Sequence, residues 1–251
     1  MEERIKVQVE HLTKSYGDLL VLNDISFNVR AGEFFCIVGP TGCGKTTFLN
    51  SLVGLHENDS GVILLDGEPV NPKKHSIAYI FQEQSVMSWL TVGENVAFAL
   101  NIKKKRNGLT QDFIDKKVQE TLDIVGLGKF KDYYPSQLSA SMLQRVVIAR
   151  AFAADPDLLL MDEPYGQLDI NLRFHLEDEV IRICRQFGTT VLFITHNLEE
   201  AVYLGDRILV LSNKPSTVKE EVVNTLPRPR DVTAQEFVAL RNRITELIKW
   251  W

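Results

Sequence analysis

The sequence predicts an α/β fold with a mixed, largely parallel sheet core, an antiparallel β subdomain and a helical subdomain. From residue 157 onward, short apolar runs alternate with helical patterns, which is typical of a parallel sheet joined by right-handed crossovers. Within the first 80 residues, strand-like runs separated by turn residues indicate antiparallel strands. Between these regions, over residues 91–127, apolar side chains recur at helical spacing and predict a helical insertion.

Composition narrows the possible functions. The chain has 251 residues and is 45% apolar, which is enough for a sizeable core in one large domain or two small ones. Its net charge of −5 argues against a dedicated nucleic-acid binder. The basic run at residues 103–106 is either an electrostatic footprint or a solvated helix end. The three scattered cysteines suggest neither a disulfide framework nor a zinc site.

Nothing in the sequence predicts a membrane span. No apolar run reaches about 18 residues, and the chain opens on charged residues, so we expect neither a spanning helix nor a secretory signal. A protein of this kind that works at a membrane needs a partner to hold it there.

Strand and helix signals follow one another along the chain. The predicted strands of the first part are 6–12, 19–29, 33–38, 61–67 and 76–81. The later strands are 157–161, 190–195 and 207–211, with helices near 171–187 and 198–204. Residues 226–230 contain two prolines and predict a linker, after which residues 234–251 predict a terminal amphipathic helix.

Residues 39–46 fit the phosphate-loop pattern G-x-x-x-x-G-K-[ST]. They lie between the apolar run 33–38 and a helical pattern over 48–53, the context that a phosphate cradle requires. Its glycines let the backbone N–H groups point inward, and the helix N-terminus adds roughly half a positive charge. Lys45 would meet the β- and γ-phosphates of a nucleotide, and the Thr46 hydroxyl would ligate Mg²⁺. The alternative is a Gly-rich turn that matches by chance.

Asp162 and Glu163 close the apolar run 158–161. In a parallel sheet, ligands bind at the carboxyl ends of strands, so these two acids are expected at a site. Neighbouring side chains of an extended segment diverge, which lets Asp162 face Mg²⁺ while Glu163 faces an attacking water. The alternative is a pair of solvated carboxylates at a strand end.

His196 repeats this layout at the tip of the apolar run 190–195. A lone histidine is more often structural than catalytic. The buried-strand pattern before it, and the matching position of Glu163, favour a role at a phosphoryl-transfer site.

Seven motifs in this order resemble the nucleotide-binding subunits of ABC transporters over nearly the whole chain. They are Tyr16, where the family stacks an aromatic ring on adenine; the phosphate loop at 39–46; Gln82 of the Q-loop; the signature at 138–142; Asp162 with Glu163; the D-loop at 166–169; and the switch residue His196. The resemblance implies the P-loop NTPase fold of the ABC ATPase type. It also implies a single domain, with 1–87 and 157–225 as the RecA-like core with the antiparallel β subdomain, 88–156 as the helical subdomain, and 226–251 as a C-terminal linker and helix.

The resemblance further implies an ATPase that binds ATP and Mg²⁺. Catalysis is expected from Glu163, His196 and Lys45, and metal binding from Thr46, Gln82 and Asp162. The residues expected to bind the nucleotide are Tyr16, Val21, Gly39, Pro40, Thr41, Gly42, Cys43, Gly44, Lys45, Thr46, Thr47, Gln82, Ser139, Ala140, Ser141 and Asp169. In this family two copies sandwich two ATP molecules, each site taking the signature from the other chain.

The implied partners are a second ATPase subunit, two transmembrane permease subunits and a solute-binding protein, without nucleic acid, at the cytoplasmic face of the cell membrane. Less specific motifs are most similar to the nitrate, sulfonate, taurine and bicarbonate importers, so a small anionic solute is expected; they are residues 89–92, Met142, residues 163–169 and residues 226–231. Met87 and Trp89 are expected to contact a permease helix, although Trp89 could instead be core.

The signature departs from the family, because Ala140 and Ser141 replace two glycines. Their Cβ atoms restrict close approach and disfavour a positive φ by roughly 1–2 kcal/mol. We therefore expect weakened closure of the ATPase dimer, with slow hydrolysis or a partner subunit that carries an intact signature.

Two other classes of protein remain open. A soluble ABC-type ATPase without a transport role would carry a long coiled-coil insertion or a second cassette, and the sequence has neither. A regulatory ATP-binding subunit with weak hydrolysis is favoured by the altered signature and opposed by Glu163 and His196.

Overall fold

The computed structural model describes residues 4–71, 74–83, 85–166 and 170–248, and at 105–107 and 170–172 the backbone alone. Two compact units form. The first takes in the described residues up to His75 and from Gly188 onward, and the second runs from Ser76 to Phe187. The subdomain boundaries expected at residues 87, 156 and 225 stay predictions.

The elements of the described residues follow in chain order. Up to His75 they are β1 (Ile5–Tyr16), β2 (Leu19–Arg30), β3 (Phe34–Val38), α1 (Lys45–Leu52), β4 (Ser60–Leu65) and β5 (Glu68–Pro69). The second unit holds β6 (Ile77–Ile80), α2 (Val92–Asn107), α3 (Gln111–Ile124), α4 (Ala140–Ala153), β7 (Leu158–Asp162) and α5 (Ile170–Phe187). From Gly188 onward come β8 (Thr190–Thr195), α6 (Leu198–Leu204), β9 (Arg207–Leu211), β10 (Val218–Val223) and α7 (Gln235–Ile248).

The first unit contains the predicted antiparallel sheet, with strand order β2-β1-β4-β5. β1 and β2 pair through the turn at Gly17, whose φ of 57° suits a glycine. β2 has a local irregularity at Asp24, which has a φ of 54°, and the β1–β2 register shifts on either side of the Leu12–Ile25 pair.

A parallel group of strands in the same unit positions the loop at residues 39–46. β3 lies between β8 and β9 and is parallel to both, with Val38 opposite Thr195 on one side and Val210 on the other. Every residue of β3, β8 and β9 is buried, which explains why these strands are continuous apolar runs. The carboxyl ends of β3 and β8 therefore meet at one edge. β10, which the sequence did not predict, pairs antiparallel with β9.

In the second unit β6 pairs parallel with β7, so that Ile80 lies opposite Met161. Grouping residues 76–81 with the antiparallel strands of the first part was therefore wrong. The strand itself was located correctly, but a four-residue apolar run does not reveal whether its partner is near or far in the sequence.

The helical insertion predicted over 91–127 is confirmed as α2 and α3. A capping box of Thr91 and Glu94 begins α2, and Gly108 with a φ of 67° ends it. Lys103, on α2, is half-buried, and its Nζ donates to Ser76 Oγ at 2.9 Å and to the Ala154 carbonyl at 2.5 Å. The expectation of a solvated helix end was therefore wrong for this residue.

The predicted linker at 226–230 is bound to the end of α6. Arg230 is 7% exposed, and its Nη1 donates to the carbonyls of Val202, Tyr203 and Gly205 at 2.8 to 2.9 Å. Arg228 donates to the Tyr203 carbonyl at 3.0 Å. The two guanidinium groups satisfy carbonyls that every helix leaves unpaired at its C-terminus. α7 follows, and residues 249–251 of the predicted helix lie outside the described residues.

Candidate functional site

The loop between β3 and α1 has a backbone that requires glycine. Gly42 and Gly44 have φ values of 78° and 109°, in the region that disfavours L side chains. A Cβ on Gly44 would also approach Val21 Cγ1 to 2.7 Å, and one on Gly39 would approach Cys43 Sγ to 2.9 Å. The three glycines of the motif therefore serve its geometry, which brings the loop backbone close to whatever it binds.

The start of α1 is built differently from the starts of four other helices. At α2, α3, α4 and α6 a side chain accepts a hydrogen bond from a first-turn N–H group, through Thr91, Thr110, Ser139 and Asn197 respectively. α1 begins after Gly44 with no side-chain cap and no acidic residue in its first turn. The positive end of the α1 dipole therefore has no capping side chain, which is the arrangement that binds phosphate.

Lys45 lies against the loop to which it belongs. Its side chain is buried, and Nζ donates to the carbonyls of Gly39 at 2.9 Å and Pro40 at 3.1 Å. These contacts hold a full positive charge at the glycine-rich turn. Burial raises the pKa of the neighbouring Cys43 thiol, an effect that the charge of Lys45 opposes in part. The thiol therefore stays neutral near pH 7 and adds no negative charge to compete with an anion.

His196 follows β8 at the same edge as the loop, and it is exposed. Both of its neighbours are tied to the buried carboxylate of Glu200. Thr195 Oγ1 donates to Glu200 Oε2 at 2.6 Å, and Asn197 Nδ2 donates to Oε1 at 3.3 Å. Glu200 thus fixes the backbone on each side of the histidine. Glu200 was not predicted as a site residue, although a glutamate about one helical turn after a strand end is a recognisable sequence signal.

The two residues expected near adenine differ in exposure. Tyr16 ends β1 and is 43% exposed, with its ring edge-on to His56 at 5.6 Å and Lys14 Nζ 5.3 Å from its centroid. It offers a ring for stacking. Val21 is buried beneath the loop and offers a ligand almost no surface.

In the second unit the parallel pairing of β6 and β7 brings Gln82, Asp162 and Glu163 to one edge. Asp162 is 9% exposed and accepts a hydrogen bond from Tyr79 Oη at 3.3 Å. Burial and the nearby Asp162 carboxylate raise the pKa of Tyr79 far above its usual value, so the phenol remains a neutral donor. The sequence analysis missed Tyr79, because its contact depends on a pairing with a distant strand.

Glu163 has a φ of 45°, which is uncommon for a residue with a side chain. Strained backbone of this kind costs of order 1–3 kcal/mol and clusters at functional sites. The chain therefore leaves the extended conformation at Glu163, and the expectation that the carboxylates of Asp162 and Glu163 diverge as neighbours in a strand stays a prediction.

The segment that replaces the two signature glycines is helical. α4 begins at Ala140, Ser139 is its N-cap, and neither Ala140 nor Ser141 has a positive φ. The expected backbone strain at these positions was therefore wrong. Ser139 Oγ accepts from Met142 N at 3.4 Å and lies 2.9 Å from Ser141 Oγ.

The donor set of each unit fits part of a magnesium nucleotide. The loop offers backbone N–H groups and Lys45, and Thr46 is exposed at the start of α1. Among the described residues, no three His, Cys, Asp or Glu side chains form a metal-binding group. Such a group is not needed for Mg²⁺, which nucleotide sites hold with one or two carboxylates, phosphates and water. Asp169 lies outside the described residues.

Known proteins resemble this chain in sequence and in structure. Residues 22–166 match the family model described as ABC transporter. A curated relative is the aliphatic sulfonates import ATP-binding protein SsuB of Bacillus thuringiensis, 39% identical over 94% of this chain and 92% of the relative. An uncharacterised ABC transporter ATP-binding protein of Methanocaldococcus jannaschii is 40% identical over 98% of this chain and 92% of its own length.

Two further matches differ in coverage. The nitrate import ATP-binding protein NrtC of Synechococcus elongatus is 37% identical over 93% of this chain, which corresponds to 36% of that larger protein. Among solved structures, cbiO1 of Clostridium perfringens, described as part of the ABC transporter complex cbiONQ, superposes with a TM-score of 0.81 at 28% identity and covers 98% of this chain and 99% of that one.

Proposed function

This chain belongs to the ABC transporter family and is an ATP-binding subunit with ATPase activity, and on that premise we propose that it powers the import of a small anionic solute through separate membrane subunits. The names of its relatives, which include importers of aliphatic sulfonates and of nitrate, support an organic or inorganic oxyanion as the solute.

The observation that carries the proposal is the loop at the carboxyl end of β3. Its glycines adopt backbone angles that other residues resist, Lys45 is held against it, and α1 begins behind it without a side-chain cap. Together these features support a cradle for a chain of phosphates.

Each proposed catalytic residue has a role that its chemistry suits. ATP bound with Mg²⁺ supplies the γ-phosphoryl group that water attacks in line. Lys45 balances negative charge on the β- and γ-phosphates, while His196 donates a hydrogen bond to the γ-phosphate. Glu163 accepts a proton from the attacking water. Thr46, Gln82 and Asp162 are the residues proposed to hold Mg²⁺, directly or through water.

We further propose that two ATPase subunits act together. The exposed Ser139, with the backbone N–H groups at Ala140 and Ser141, would reach a nucleotide held by the second subunit. Because the backbone at these positions is helical, the two side chains do not strain the segment itself. The backbone conformation of this segment is therefore compatible with a homodimer and does not require a second subunit with two signature glycines. The side chains of Ala140 and Ser141 reduce only the room for close approach.

An apolar cavity in the second unit is the surface proposed for a permease subunit. It has a volume of about 380 Å³, and Phe81, Met87, Phe98 and Ile102 contribute to its lining. Trp89 nearby in the sequence is 74% exposed, so the alternative that it is core does not hold. Exposed aromatic and methionine side chains are typical of interfaces.

None of the helices in the described part of the chain combines the length and apolar character needed to cross a bilayer. We propose that the chain lies peripherally on the cytoplasmic face of the membrane, where two permease subunits hold it. A solute-binding protein would deliver the solute to the permease.

Replacing Glu163 by Gln tests the hydrolytic mechanism. Loss of the proton acceptor should lower ATP turnover by about 10²- to 10⁴-fold while ATP affinity stays within a factor of about two. Turnover and equilibrium ATP binding are measured on the same preparations. Glu120→Gln, on the exposed surface of α3, is the matched control and should change neither. Ordinary hydrolysis by Glu163→Gln would place the base elsewhere.

The transport role is tested by reconstituting the chain with the permease that co-purifies with it. ATP turnover should rise with the permease and its solute-binding protein, and sulfonate or nitrate uptake into vesicles should require Glu163. A soluble ATPase without a transport role would hydrolyse ATP at one rate with or without membrane subunits.

A further inference from the structure

A buried serine far along the chain contacts the phosphate loop. Ser216 lies in the turn between β9 and β10 and is fully buried. Its Oγ donates a hydrogen bond to the carbonyl oxygen of Cys43, within the loop. A second acceptor, the Ser212 carbonyl, lies farther away at 3.3 Å. One hydroxyl proton serves one strong bond, and the nearer partner is Cys43.

The backbone of Ser216 is anchored as firmly as its side chain. Its N–H donates to the Val21 carbonyl at 2.9 Å, and its carbonyl accepts from Asn23 N–H at 2.8 Å. These bonds form an isolated parallel bridge opposite Leu22, in β2. Val21 and Leu22 are also the side chains that a Cβ on Gly44 would meet. Ser216 is thus fixed to the strand that packs under the loop.

The contact controls the direction of an amide in the loop. In a trans peptide the C=O of one residue and the N–H of the next lie in one plane and point in opposite directions. The carbonyl of Cys43 and the N–H of Gly44 belong to one such peptide. Holding the Cys43 carbonyl toward Ser216 therefore turns the Gly44 N–H to the opposite side. Gly44, with its φ of 109°, has the freedom to rotate away if that carbonyl is released.

We propose that Ser216 is a positioning residue for phosphate binding, whose hydroxyl holds the peptide between Cys43 and Gly44 with the Gly44 N–H facing the bound phosphates. The proposal rests on the proposed function, since it assumes that the loop binds ATP. Ser216 itself touches no nucleotide. It acts through one peptide plane, so its loss weakens binding without removing any residue of the loop.

The test compares the nucleotide affinities of full-length variants by calorimetry. Ser216→Ala should bind ATP and ADP about three- to tenfold more weakly, because one buried hydrogen bond corresponds to about two- to twelvefold in a binding constant. AMP, which keeps only the α-phosphate and lacks the β- and γ-phosphates, should bind with a change of less than about twofold. A serine that only stabilised the fold would shift the melting temperature without separating ADP from AMP.

Ser212→Ala is the matched control. Ser212 lies in the same turn, and its Oγ bonds to the Asn213 carbonyl at 2.9 Å and accepts from Thr217 N at 2.8 Å, away from the loop. It should bind all three nucleotides as the wild type does. Equal losses in both variants, or no loss in Ser216→Ala, would overturn the proposal.

A second variant covers the case in which Ser216→Ala does not fold. Ser216→Cys nearly preserves the shape, but its S–H is a weak donor, so ATP should bind at least about twofold more weakly. Unchanged ATP binding in a folded Ser216→Cys protein would refute the role of the hydroxyl. Wild-type protein that fails to bind ATP would instead refute the proposed function, which keeps the two failures distinguishable.

Discussion

The phosphate loop and the signature segment after Ser139 both present backbone N–H groups at the start of a helix, yet they depend on glycine to different degrees. In the loop, Gly44 combines a φ of 109° with a neighbour only 2.7 Å from any added Cβ. In the signature segment, Ala140 and Ser141 continue a right-handed helix after an N-cap. The loop needs glycine for its own fold. In the signature segment, a glycine would serve only to let another molecule approach the backbone closely.

This contrast explains how one motif changed while the other did not. A glycine required by backbone conformation cannot be replaced without strain, whatever the ligand does. A glycine required only for close approach can be replaced at the cost of a looser contact with the proposed second subunit.

Gly44→Ala should have the largest effect. The positive φ and the contact with Val21 together should lower the free energy of unfolding by about 2–4 kcal/mol and weaken ATP binding by about 100-fold or more. Gly42→Ala is the matched control, because it has a similar positive φ of 78° but nothing within 4 Å of the added Cβ. It should cost about 1–2 kcal/mol. Denaturant unfolding and calorimetry measure both, and equal losses would contradict the packing argument.

The double variant Ala140→Gly and Ser141→Gly should have a smaller effect than Gly44→Ala, and it should raise activity rather than lower it. Room for close approach should raise ATP turnover by about threefold or more, while the free energy of unfolding falls by about 1–2 kcal/mol because glycine disfavours a helix. Turnover and unfolding are measured in parallel. Unchanged turnover would show that these side chains do not limit closure of the dimer.

Ser139→Ala and Ser141→Ala sharpen the contrast within the signature segment. Only Ser139 accepts a hydrogen bond from the first turn of α4. Its loss should lower the free energy of unfolding by about 1 kcal/mol, against less than about 0.5 kcal/mol for Ser141. Equal effects in thermal unfolding would mean that the N-cap bond contributes little.

Buried strands and helices could be predicted accurately where each has a sequence pattern of its own. The run 190–195 and the helix 198–204 were placed with the bounds that the structure has, because continuous apolar residues and clear turns mark them. β10 was missed because it is an edge strand in which Lys219, Glu220 and Glu221 stand together, and such a charged run resembles a surface loop. The parallel partner of β6 was missed because pairing between distant segments leaves no local signal.

The candidate site divides in the same way. The phosphate loop and the strand-end acids were predicted from motifs, since the chemistry proposed for them requires fixed residue types at fixed spacing. Tyr79, Glu200 and Ser216 were not predicted, because the contacts of their side chains become visible only in the folded chain. The backbone of Ala140 and Ser141 was misjudged because the sequence indicates which residue changed, but not the φ at which it sits.

The arrangement of the first unit has a consequence for synthesis on the ribosome. The phosphate loop is translated early, but its strand β3 is flanked by β8 and β9, which emerge only after the whole segment from Ser76 to Phe187 has been made. Arg230, which secures the end of α6, emerges later still. Nascent chains that stall before β8 and β9 have emerged therefore expose β3 without its neighbours, and exposed strands of this kind are prone to aggregate.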